Sequence, residues 1–145
     1  MSTRPDDPRP DLPSESNAHQ PVDLDSAFDA LTFLSDRSID STDDQLAGAF
    51  ARLADTQMGS VFIGHYAGDS QWERHGHGDE YVAVVDGETE MTMIVDGADL
   101  THTMTAGQFV IVPQGTWHRF HTAVGVKVMT ITPQPTDHRR ERPTT

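Results

Sequence analysis

Gly107-Gln108-Phe109-Val110-Ile111-Val112-Pro113-Gln114-Gly115-Thr116-Trp117-His118 is the stretch on which the reading of this chain turns. A short β-prone run over 109–112 is stopped by Pro113 and Gly115, and an aromatic and a histidine then restart the next run. Proline cannot donate to a strand ladder and glycine accepts turn conformations, so the stretch reads as strand, tight turn, strand. The same texture extends both ways from it. Eight β-branched runs are separated by turn signals: 60–66, 72–75, 80–86, 89–95, 100–105, 109–112, 117–122 and 126–132. Asp86-Gly87 and Asp96-Gly97 have the two-residue hairpin composition, in which both positions tolerate positive φ. The expectation is an all-β domain, an eight-stranded jelly-roll barrel.

Upstream the pattern changes. Phe28, Leu31 and Leu34, then Leu46, Phe50 and Leu53, recur at helical spacing, and Ser41 with Asp44 resembles a helix start. Two short helices are expected within a helical extension over 23–59. Residues 1–22 are rich in proline and acids and read as a disordered arm, and 133–145 as a flexible C-terminal tail. The barrel itself spans 60–132.

The chain has 145 residues with Lys+Arg 10 against Asp+Glu 23, a formal net charge of -13. So acidic a chain is poorly suited to nucleic acid, which is bound mainly through Lys and Arg. No apolar run reaches the roughly 18 residues a membrane helix needs, and the N-terminus carries no secretory stretch, so a cytoplasmic location is expected. Cysteine is absent. Disulfides, thiolate metal sites and cysteine nucleophiles are therefore excluded, and any metal must sit on His, Asp or Glu.

Histidines and acids concentrate in Trp72-Glu73-Arg74-His75-Gly76-His77-Gly78-Asp79-Glu80 and at His118. Here the chain resembles the cupin superfamily. The second cupin motif is matched by Gly107, Pro113, Gly115 and His118 at the family spacing, with Thr122 where the family has Asn. In the first motif Glu80 and Gly87 keep the family interval. His75-Gly76-His77 looks like the family's His-x-His, but only two residues separate His77 from Glu80. Counting back from Glu80 makes His75 the second motif histidine and puts Glu73 in place of the first. The stretch is also similar to that of small bacterial cupins, where the position of His77 need not be histidine.

The resemblance implies a metal site of Glu73, His75, Glu80 and His118, with His77 as the alternative ligand. Strand alternation agrees, since Glu73 and His75 share one face of their strand while Arg74 takes the other. Two imidazoles and two carboxylates suit a divalent first-row metal: Fe, Mn, Ni, Co or Zn. His77 and His65 are the candidate general bases, the catalytic residue being otherwise unassigned. Arg74 and Arg119 fall opposite the ligands, so an anionic substrate finds no support. Trp72, Tyr81, Met91, Met93, Met104, Phe109, Trp117 and Phe120 are expected in the core or pocket wall. The resemblance further implies a homodimer and a small-molecule ligand or substrate. The expected function is a metal-dependent enzyme, a dioxygenase or isomerase type; the alternative is a non-catalytic module that binds or senses a metal or small ligand. A metal-free barrel is a third reading, and four inward ionisable groups would be costly in it.

Overall fold

The computed structural model describes residues 19–144, so the arm expected over 1–22 lies outside the described residues as far as 18. Nine strands and two short helices follow in the order α1 (Leu24–Asp29), β1 (Leu34–Arg37), α2 (Asp43–Ala47), β2 (Phe50–Thr56), β3 (Gly59–Asp69), β4 (Trp72–His75), β5 (Glu80–Val95), β6 (Ala98–Thr105), β7 (Phe109–Val112), β8 (His118–Thr132) and β9 (Thr136–Arg139). Among the described residues no helix is long and apolar enough to cross a membrane.

β8 is the spine. β3 and then β4 pair along one edge of it, and the long β5 pairs along the other. β6 and β7 extend β5, β2 and β1 extend β3, and β9 closes over β4. The strands curl into a jelly-roll whose sheet is not closed by hydrogen bonds. Its interior is filled by Tyr66 of β3, Val82, Val84, Met91 and Met93 of β5, Met104, Val112, and Phe120, Val126 and Val128 of β8.

The strand count differs from the eight expected, for local reasons. Asp86-Gly87 does not reverse the chain; β5 runs through it, and β8 runs through Gly125. Gly87 at φ 77° pairs with Val126, and a Cβ on Gly87 would lie 2.3 Å from the Gly125 carbonyl oxygen. The register shifts on both sides of Gly87, so the site is a bulge that bends two paired strands together rather than a hairpin. Asp96-Gly97, with both φ positive, is the true two-residue turn.

The extension over 23–59 is helical only in part. Thr42, not Ser41, caps α2, through a capping box with Gln45. Leu34 falls in β1, and Phe50 and Leu53 in β2. Helices this short are marginal alone, so the free edge of β3, which offers backbone partners, outweighs the helical spacing. α1 packs outside the sheet, with Phe28 buried beside Leu53 and Ile63. The tail is likewise not loose throughout, since Thr136–Arg139 adds a strand to β4. Phe109, expected inside, is 61% exposed on β7 beside Tyr81, because alternation sends Val110 and Val112 inward.

Candidate metal centre

The two motifs meet at one end of the curl. β4 delivers His75, β5 begins at Glu80, and β8 begins at His118. The turn after β7 is clasped to the loop after β4: the Gly115 N–H donates to the His75 carbonyl at 2.9 Å, and the Gln114 N–H to the Asp79 carboxylate at 2.8 Å. Gln114 also donates its side-chain amide to the Gly76 carbonyl at 2.7 Å. Pro113 and Gly115, at φ 81°, thus fix where β8 starts relative to β4.

His75, Glu80 and His118 are buried, at 4%, 5% and 0% exposure. One ligand atom from each lies within 4.8 Å of the others. Glu80 Oε1 is 3.1 Å from His118 Nε2 and 3.3 Å from His75 Nε2. None of the three atoms makes a hydrogen bond of acceptable geometry, although all are buried. Their outer atoms are satisfied. Glu80 Oε2 accepts from the Thr132 hydroxyl at 2.6 Å, and His118 Nδ1 faces the Thr116 carbonyl at 3.0 Å. A carbonyl only accepts, so Nδ1 carries the proton and the Nε2 lone pair of neutral His118 points at Glu80. His75 Nδ1 lies 3.1 Å from the Thr136 hydroxyl. Three buried polar atoms that face one another without a hydrogen bond of acceptable geometry form an arrangement suited to a cation.

The electrostatics follow from this crowding. Burial would raise the Glu80 carboxyl, but His75 and His118 outweigh it and hold it well below the usual carboxylate range. Burial would lower His118, but Glu80, joined by Glu73, pushes it above the usual histidine value.

The other expected site residues are placed as follows. Glu73 pairs directly across from His118 on the same face, yet its carboxylate is not in the cluster. It lines the adjoining cavity, with Oε2 3.9 Å from His138 Nδ1. Burial would raise it; His138, Arg37 and His118 together hold it low. His77 stands exposed in the loop between β4 and β5, because tightening that loop to two residues before Glu80 turns it outward. His65 does not reach the cavity either. β3 presents Phe62, Gly64 and Tyr66 inward, which leaves His65 outside with its ring 4.7 Å from Phe33. Arg74 and Arg119 lie on the outer face as expected, over Trp117 and Trp72.

The cavity beside the triad measures about 40 Å³ and is walled by Phe50, Phe62, Phe120 and Val128. Two of its residues, Arg37 and Thr136, and the His138 beside Glu73 were not anticipated. Thr136 and His138 alternate along β9 opposite His75 and Glu73; the Thr-x-His spacing after Pro135 was the available signal. Arg37 comes from β1, and nothing in its sequence context marks it.

The cupin-domain family matches residues 63–132. These residues form a cupin domain. A cupin-2 domain protein from Shewanella frigidimarina superposes with a TM-score of 0.59 at 18% identity, covering 78% of this chain and 94% of that one. A protein from Neisseria meningitidis gives a TM-score of 0.59 at 16% identity, covering 79% and 100%. At these identities the likeness is one of fold. No curated protein matches this cupin in sequence. Among its described residues, His75, Glu80 and His118 are the group able to hold a divalent metal.

Proposed function

We propose that this cupin is a metal-dependent enzyme of oxygenase or isomerase type that acts on a small organic molecule in the barrel. His75, Glu80 and His118 hold the metal, and Glu73 stands beside it without ligating. The observation that carries this reading is the convergence of two imidazole nitrogens and one carboxylate oxygen, all buried and none hydrogen-bonded with acceptable geometry, at one end of a cavity walled in part by phenylalanines. Two imidazoles and a carboxylate suit Fe, Mn, Co, Ni or Zn, and are the set used by non-haem iron oxygenases. A metal bound there supplies Lewis acidity or, with iron, reactivity toward dioxygen.

The chain's own groups do the rest. Thr116 and Thr136 orient the two imidazoles, and Thr132 orients Glu80. Phe50, Phe62 and Phe120 exclude water and receive the apolar part of the substrate. Glu73, anionic and at the cavity, is placed to accept a proton at a carboxylate oxygen, the role that exposed His77 and outward His65 cannot fill.

The test is elemental analysis of the purified protein and of His118→Ala, followed by oxygen-consumption assays if the metal is iron. Near-stoichiometric metal lost in His118→Ala is expected. A wild-type protein that stays metal-free after reconstitution with Fe, Mn, Co, Ni and Zn overturns the reading.

A further inference from the structure

β1 runs parallel to β3, with Leu34 opposite Tyr66 and Arg37 opposite Gly68. This places Arg37 on the wall of the cavity that Glu73, His75 and Glu80 also line. Its guanidinium carbon is 4.5 Å from the Tyr66 ring centroid and 4.9 Å from that of Phe50. A guanidinium held over aromatic rings keeps N–H donors with which it can meet a planar anion. Contact with the Tyr66 hydroxyl occupies part of that donor set. Among the described residues no carboxylate comes within ion-pair distance of Arg37; Arg119 and Arg139 lack one too, but both are exposed to solvent, whereas Arg37 lines the cavity.

We propose that Arg37 binds the carboxylate of a compact monocarboxylic acid, which makes the substrate class of this enzyme a small monoanion. The inference rests on the metal reading for its charge balance. A divalent cation is offset by Glu80 and Glu73, and with neutral histidines Arg37 then leaves the cavity one positive charge in excess. A single carboxylate neutralises it, and a dianion or a cation does not. The phenylalanine and valine wall takes the hydrocarbon body. The cavity is small, about 40 Å³, which keeps that body short.

Calorimetric titration of the zinc-loaded protein with sodium propionate, and with propionamide as its neutral isostere, tests this. Arg37→Gln and Arg37→Met are titrated alongside; the second keeps an unbranched apolar stem against Phe50 and Tyr66. Propionate is expected to bind wild type and to weaken about tenfold or more in both variants, the loss of a charge-assisted contact, with propionamide indifferent to the change. No propionate binding to wild type, or equal binding by both variants, overturns the proposal. Zinc content of each sample separates the two readings. Full zinc without Arg37-dependent binding overturns the substrate class alone, and a wild type that takes up no zinc overturns the metal site and with it the charge balance on which the substrate class rests.

Discussion

The Thr136 hydroxyl on β9 lies 3.1 Å from His75 Nδ1 on β4, so the last strand of the chain orients a metal-ligand candidate more than sixty residues away. Fixing Nδ1 leaves Nε2 for the site. Thr136→Val keeps the shape of the side chain and removes that partner. Metal affinity is expected to fall about ten- to a hundredfold, the usual effect of losing a group that orients a ligand. Competition with a chromophoric chelator measures it, and an unchanged affinity would show that β9 does not tune the site.

The triad separates from its neighbours by substitution. His75→Ala, Glu80→Ala and His118→Ala should each lower metal affinity by more than about a hundredfold, beyond the effect of an orienting group. Glu73→Gln, His77→Ala and His65→Ala should keep near-full metal. Retention by His118→Ala, or loss in His77→Ala, would mean a different ligand set.

Stability of the metal-free protein should depend on pH with a sign set by His118 and Glu80. His118 is raised from its ordinary value of 6.5, so its contribution is complete below that value and disappears as pH rises through the folded value. Glu80 is lowered from 4.5, so its contribution is present above that value and is lost as pH falls through the folded one. Thermal midpoints without metal should therefore decline as pH rises above 6.5 and His118 loses its proton. With excess zinc the trend reverses, because the metal competes with the His118 proton and stabilises more as that proton leaves. Melting curves across pH with and without zinc read both signs.

Two motif glycines should differ in cost. Gly87 and Gly107 both have positive φ, 77° and 90°, but a Cβ on Gly87 would meet the Gly125 carbonyl at 2.3 Å, whereas one on Gly107 meets nothing within 4 Å. Gly107→Ala should cost about 1 kcal/mol, the strain of the backbone conformation alone. Gly87→Ala adds a backbone clash and should cost about 3 kcal/mol or more. Urea unfolding of the two variants compares them directly.

The all-β character, the positions of β4 and β7, the Asp96-Gly97 turn and the candidates His75, Glu80 and His118 could be read from the sequence alone. Each rests on a local signal: period-two alternation, turn chemistry, or a motif spacing that spans one or two strands. What lay beyond it depended on partners distant in the chain. Whether Asp86-Gly87 turns or bends was settled by Gly125 across the ladder. Whether Leu34, Phe50 and Leu53 sit in helices or strands was settled by the open edge of β3. Glu73 shares the right face, but its carboxylate stays out of the cluster, beside His138. Arg37 carries no local mark of function, and the Thr136-x-His138 spacing after Pro135 is a weak one. Pairing brings β1 and β9 to the cavity, and only that pairing makes their side chains part of the site.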